Sequence, residues 1–178
     1  LEGRVNYDRS FGYHKVGALL LYNQSRNYYP STYSYIPRSY IGLVGRVTYS
    51  YMTKYLLDVN MGYNGSENFA PGKTRFGLFP SFSAGWIMSS EDFMKDQKVF
   101  SYLKLRASWG RVGSDTGVST RFMYMPSVWT ESGSYSFGVN NPDASPSFAV
   151  SKIGNELVTW ETADKTNVGI DAKFLNNR

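Results

Sequence analysis

Side chains capable of acid–base, nucleophilic or metal chemistry are few and scattered in this sequence. It has no cysteine and one histidine, His14, so a thiolate nucleophile and a multi-histidine metal site are excluded. Glu91 and Asp92 are adjacent acids, which we interpret as favouring the start of a short helix rather than as an acid–base pair. Three late acids lack the Asp-x-Asp-x-Asn spacing of a calcium loop: Glu156, Glu161 and Asp164. We therefore expect no catalytic residue, no metal, no cofactor and no enzyme.

Composition excludes several further classes. Aromatic residues make up 17% of the 178 residues, which argues against a disordered chain. The net charge is +5, but the cations are dispersed, so we expect no nucleic-acid partner. The longest apolar run, residues 18–22, is far shorter than the roughly 18–20 residues of a membrane helix.

A period of two in hydrophobicity predicts β-strands along most of the chain. Residues 41–51 and 55–64 both alternate, and three residues separate them, which predicts a hairpin. Further strands are predicted at residues 1–7, 14–25, 75–86, 103–110 and 167–174. The predicted fold is all-β, an antiparallel meander of about seven long strands.

The two faces of these strands differ in chemistry. One face is polar and the other is apolar, with aromatic side chains near the strand ends. An apolar band flanked by aromatic residues is typical of outer-membrane β-barrels. On this interpretation the residues facing the lumen are Arg46, Asp58, Asn60, Arg75, Lys104, Arg106 and Asp171. Those facing lipid are Val59, Leu78, Trp86, Leu105 and Ile170. The alternative is a soluble, aromatic-rich β-sheet module that binds glycans or another partner.

The predicted links alternate between short and long. Short links are expected at residues 8–13, 52–54 and 89–98, and long links at residues 26–39, 65–73 and 114–165. Outer-membrane barrels have short periplasmic turns and longer external loops. We also expect one helical turn at residues 90–96, a turn at Asn64-Gly65 and a bulge at Pro80.

Seven strands cannot close a single-chain bacterial barrel, which has an even number of strands. An open sheet edge in lipid would leave backbone groups unpaired at a cost of several kcal/mol each. We therefore expect residues 1–178 to be one contiguous part of a larger barrel.

Several blocks in a fixed order carry a resemblance to a known family. They are YIGLVGRVTY at 40–49, NMGYNGSENF at 60–69, RFGLFPSFSAGW at 75–86, SEDF at 90–93, LKLRASWG at 103–110 and NVGID at 167–171. Over residues 40–174 the sequence resembles the C-terminal half of the barrel in SusC/RagA-type TonB-dependent outer-membrane transporters of Bacteroidetes.

The resemblance implies a barrel of about 22 strands, plugged by an N-terminal domain, in the bacterial cell outer membrane. Such transporters import glycans or peptides, use energy supplied through TonB, and carry a SusD-type surface lipoprotein as a lid. The expected partners are outer-membrane lipid, that lipoprotein, the rest of the barrel and plug, and an oligosaccharide or peptide substrate. The signal peptide, N-terminal domain and plug have no counterpart in these residues, so TonB is expected to act only through the missing N-terminal part.

Aromatic residues in the long links are the candidate contacts for substrate or lid, because aromatic rings stack on sugar faces. They are Trp129, Tyr124, Tyr135, Phe137, Tyr33 and Tyr35. Trp129 is the preferred candidate because polar residues flank it. The alternative is that these rings pack the loops on themselves.

Overall fold

Nine β-strands make up most of the part of the protein that the structure describes. The computed structural model describes residues 1–29, 34–96, 99–116, 121–126, 130–138, 144–149 and 153–174. The strands are β1 (Glu2–Phe11), β2 (His14–Tyr29), β3 (Ser34–Tyr51), β4 (Tyr55–Ser66), β5 (Phe76–Ile87), β6 (Phe100–Ser114), β7 (Thr130–Ser136), β8 (Ala144–Ala149) and β9 (Glu161–Phe174).

Seven strands form one antiparallel sheet in the order β1-β2-β3-β4-β5-β6-β9, which confirms the predicted meander. The β1–β2 turn has two residues between Phe11 and His14, and Gly12 takes the positive φ that such a turn requires. In the predicted β3–β4 hairpin, Met52 and Thr53 both have positive φ, and the Lys54 amide donates to the Tyr51 carbonyl at 2.9 Å. Tight turns therefore set the register of both hairpins.

The register places the predicted faces together across the sheet. Val47, Val59, Phe82 and Trp109 are successive cross-strand partners on one face. Thr48, Asp58, Ser83 and Ser108 are successive partners on the other. Because paired residues in a ladder point to the same side, the sheet has one mainly apolar face and one mainly polar face.

The strands extend further than the sequence predicts at the end of the sheet that carries the longer connections, here called the loop end. The predicted long link at 26–39 is wrong in length, because β2 runs to Tyr29 and β3 starts at Ser34. The predicted link at 114–165 contains a separate antiparallel hairpin, which is formed by β7 and β8. The opposite end, with the connections β1–β2, β3–β4 and β5–β6, is the turn end.

Two local expectations are also wrong. Asn64 and Gly65 lie inside β4, paired with Gly77 and Phe76, rather than in a turn. At Pro80 the β4–β5 register continues without a bulge, through the pair Met61 and Pro80. Pairing of β5 with β6 begins at the next residue, Ser81, so the missing proline N–H breaks no bond of that ladder.

In the described ranges, helical structure is limited to two 3-10 turns, Met88–Ser90 and Asp92–Met94, in the connection where one helical turn is predicted. Among the described residues, no helix has the length and apolar character needed to cross a membrane.

Candidate functional site

Six of the seven residues predicted to face the lumen share the polar face. Arg46 pairs with Asp58, which also accepts a hydrogen bond from the Asn60 amide at 2.8 Å. Arg106 lies 3.4 Å from Asp171 on the neighbouring strand β9. Lys104 is the cross-strand partner of Asp171. The seventh residue, Arg75, lies just before β5, where its guanidinium donates to the Phe69 carbonyl at 3.2 Å.

A groove of about 650 Å³ near the turn end is lined mainly by this polar face. One cross-strand row of small and polar residues crosses it: Asp8, Gly17, Thr48, Asp58, Ser83, Ser108 and Asn167. Lys15, Lys104 and Arg106 also line it. The groove therefore offers hydrogen-bonding groups and cations above a floor of small side chains.

The apolar face has no covering element among the described residues. Its large side chains are exposed, for example Leu57 at 46%, Leu78 at 52% and Ile170 at 66%. A continuous apolar surface of this kind marks contact with a membrane or another protein.

Aromatic rings border the apolar face at both ends. At the turn end Tyr51, Tyr55 and Trp86 form a cross-strand row, with ring centroids 6.3 and 6.4 Å apart. At the loop end Tyr63 stacks on Phe76 at 5.2 Å. The two aromatic borders enclose the aliphatic part of the face between them.

Glu91 joins two neighbouring turns at the turn end. Its carboxylate accepts hydrogen bonds from Lys54 Nζ at 3.0 Å and Trp86 Nε1 at 3.1 Å. Glu91 lies at the N-cap position of the second 3-10 turn, where the helix-start interpretation puts it, but its side chain makes no cap hydrogen bond there. Hydrogen bonds from Tyr55, Trp86 and Lys54 lower the pKa of the Glu91 carboxyl to about 2.

We predict an acid-sensitive contribution of Glu91 to stability. Because its pKa is lower in the folded state, the contribution is fully present above the unfolded pKa of about 4.3 and declines as the pH falls towards 2. The difference in thermal unfolding midpoint between the unmodified protein and Glu91→Gln should therefore be larger at pH 6 than at pH 3. An equal difference at both pH values would contradict this assignment.

The buried core of the described residues lies at the loop end. Phe69 is 1% exposed and Trp160 is 8% exposed, and their ring centroids lie 5.3 Å apart. Phe79 packs edge-on against Trp160 at 5.2 Å. A Cβ at Gly77 would lie within 3.0 Å of the Trp160 ring, so glycine there allows the indole to approach the strand.

Two hydrogen bonds fix the segment before β9 onto the β4–β5 connection. Trp160 Nε1 donates to the Arg75 carbonyl at 3.1 Å, and Thr159 Oγ1 donates to the Thr74 carbonyl at 3.1 Å. The last part of the long connection is therefore anchored at its base.

The first part of the long connection is anchored by polar contacts. Ser66 Oγ donates to the Asp115 carboxylate at 2.6 Å, and Asn68 Nδ2 donates to the Asp115 carbonyl at 3.2 Å. Further along, Arg121 forms an ion pair with Glu67. Sequence reasoning missed these contacts because the partners lie 47 to 54 residues apart.

The predicted aromatic contact residues that the structure describes lie in three separate parts of the chain. Tyr124 packs edge-on against Phe122 at 6.2 Å in the segment next to Arg121. Tyr135 and Phe137 contact each other at 5.0 Å at the β7 end of the hairpin, and each is 64% exposed. Tyr35 lies in β3. Tyr33 and Trp129 lie outside the described residues.

Two other titratable candidates take part in structural contacts. His14 Nδ1 lies 2.7 Å from the Tyr49 hydroxyl. Asp164 forms two hydrogen bonds with Arg111, at 2.7 and 2.8 Å. Within the described ranges, no three His, Cys, Asp or Glu side chains are grouped so that they could hold a metal ion.

Comparison with known proteins identifies the relationship. No protein-family model matches the chain. The chain is 37% identical over 140 residues to the TonB-dependent receptor SusC of Bacteroides thetaiotaomicron. The matched region covers 78% of this chain and 13% of that receptor. The chain is related to SusC-type TonB-dependent receptors. It is also 30% identical over 136 residues to the TonB-dependent receptor P26 of Formosa agariphila, over 75% of this chain and 13% of the relative.

A solved structure supports the fold of this chain. The RagAB peptide transporter matches 99% of this chain and 22% of its own chain, with a TM-score of 0.77 and 16% identity. The segment thus spans about one eighth of the curated receptors that it matches.

Proposed function

We propose that residues 1–178 form part of the wall and external loops of an outer-membrane TonB-dependent importer of glycans or peptides. The observation that carries this proposal is a seven-stranded sheet with one uncovered apolar face and one polar face, in a chain related to TonB-dependent receptors. In this arrangement the apolar face contacts lipid and the polar face lines the lumen.

The spacing of the aromatic borders supports the membrane assignment. Tyr55 and Tyr63 are eight residues apart on β4, which is about 26 Å along a strand. With a strand tilt of about 40°, the separation along the membrane normal is about 20 Å, near the ~25 Å apolar band of outer-membrane barrels. A soluble module would instead expose this band to water.

The loop end then faces the cell exterior, and the turn end faces the periplasm. Exterior loops meet a ligand or a lid first, so a SusD-like lipoprotein and the substrate would contact the long connection. The remaining barrel strands would pair with the edges β1 and β9. TonB would act through a part of the receptor outside this segment, and we assign no catalysis to the chain.

Alanine variants of the loop aromatics test this proposal. We expect Tyr135→Ala, Phe137→Ala and Trp129→Ala each to weaken affinity for substrate or lid by about two- to tenfold, because a stacked ring contributes ~0.5–1.5 kcal/mol. The measurement is nutrient uptake by cells with normal surface levels of the receptor. Unchanged uptake in all three variants would show that this loop is only structural, and loss of surface expression would show that the rings are part of the loop's own packing.

A further inference from the structure

Glu67 lies where three chain segments meet at the loop end. Its Oε2 atom accepts a hydrogen bond from the Ser39 amide at 2.8 Å, and its carboxylate pairs with Arg121. Arg121 also donates to the Pro37 carbonyl at 3.3 Å. The side chains of Glu67 and Arg121 are only 16% and 21% exposed. The start of β3, the β4–β5 connection and the long connection are therefore joined through one carboxylate.

Arg121 belongs to the part of the long connection at residues 121–126, which we call the strap. The Arg121 guanidinium lies 4.6 Å from the centroid of the Phe122 ring. The Met123 carbonyl accepts a hydrogen bond from the Asn155 amide at 2.9 Å. A Cβ at Gly154 would lie 2.8 Å from the Pro126 nitrogen, so the strap packs directly on the returning backbone. The strap and the segment near residue 155 thus behave as one folded unit.

Only three residues separate the strap from β7. In the β7–β8 hairpin, residues 131–136 and 145–149 are all exposed, so the main sheet buries none of them. The chain that precedes and follows the hairpin is therefore expected to determine where the hairpin lies. Glu67 fixes the preceding side and Trp160 fixes the following side.

We propose that Glu67 is a positioning residue, which holds the strap through Arg121 and so keeps Tyr124 and the hairpin where substrate or lid is met. This inference rests on the proposed function. When the loop is in its binding-competent position for only a fraction of the time, the apparent affinity equals the intrinsic affinity multiplied by that fraction. Loss of Glu67 should therefore raise KM for uptake and leave the maximal rate unchanged.

The test uses a complete receptor carrying this chain, with spin labels on Lys73→Cys and Ser136→Cys in a background without other cysteines. For Glu67→Gln we expect a broadened distance distribution between the labels and a rise in KM of about fivefold, the effect of losing roughly 1 kcal/mol. Uptake is measured with a labelled maltooligosaccharide and a labelled decapeptide. Arg121→Lys, which keeps the charge, should give a smaller change in both quantities.

Asp92→Asn is the matched control. Asp92 pairs with Lys95 at the turn end, and these side chains are 85% and 68% exposed. This variant should change neither the distances nor KM. A narrow distribution in Glu67→Gln, or a broadened one with unchanged KM, would overturn the inference. If the unmodified receptor takes up neither probe, the proposed function fails, and the distance distributions alone decide whether Glu67 positions the loop.

Discussion

Replacing Val59 by Arg is expected to destabilise the inserted barrel by about 2–4 kcal/mol, the cost of a cation on the lipid face near the bilayer midplane. Val59 lies midway between the aromatic residues Tyr55 and Tyr63 on β4. Its cross-strand partners are Val47 and Phe82, so lipid and apolar side chains would surround the new charge.

Asn60→Arg is the matched control because it places the same side chain one residue further along the strand. Asn60 lies on the polar face beside Asp58 and opposite Arg46, so the added cation has one acidic and one basic neighbour and access to water. The measurement is urea-induced unfolding of the receptor in lipid vesicles. Equal destabilisation by the two variants would contradict the assignment of the faces.

Phe69→Ala is expected to lower the stability of the loop end by about 3–5 kcal/mol, as for other large-to-small changes at buried aromatic positions. Phe69 is 1% exposed and packs against Trp160, so its loss leaves a cavity at the base of the long connection. The strands that cross the membrane should still insert, because Phe69 lies outside them.

Phe93→Ala is the matched control because it makes the same substitution at an exposed position. Phe93 is 64% exposed at the opposite end of the sheet, so its removal should change stability by less than about 0.5 kcal/mol. The local loss of stability is measured from the amide hydrogen-exchange rates of residues 66–75 and 153–160. If exchange there is as slow in Phe69→Ala as in the unmodified receptor, this cluster does not anchor the loop.

The strand faces could be predicted because they follow from a period of two that each strand shows locally. Alternation places Val59 and Asn60 on opposite sides of β4. The β3–β4 hairpin was equally local, since two alternating runs with three residues between them leave few other arrangements.

The strand ends and the loop contacts could not be predicted in the same way. Asn64-Gly65 is a strong turn signal, but Gly65 pairs with both Ile41 and Phe76, and a Cβ there would lie within 2.9 Å of these side chains. The Glu67–Arg121 pair joins residues 54 apart, and no local pattern predicts such a contact. Tertiary packing therefore overrides the local signal where the loops meet.

The β7–β8 hairpin was missed for a related reason. Its strands contain Gly133 and Pro146 and alternate only weakly, and both residues are poor strand formers. Pro146 is tolerated because each strand of a two-stranded sheet is an edge strand, so one row of its amides has no ladder partner.

The central claim is that the apolar face contacts lipid and the polar face lines the lumen. The most direct test of this claim is a spin-label scan along β4 in the receptor reconstituted into lipid. Labels at positions 57, 59 and 61 should be reached by oxygen dissolved in lipid, and labels at 58, 60 and 62 by a water-soluble nickel complex. This two-residue period is the result that the account predicts. Preferential access of the nickel complex to position 59 over position 60, or equal access to all six positions, would contradict it.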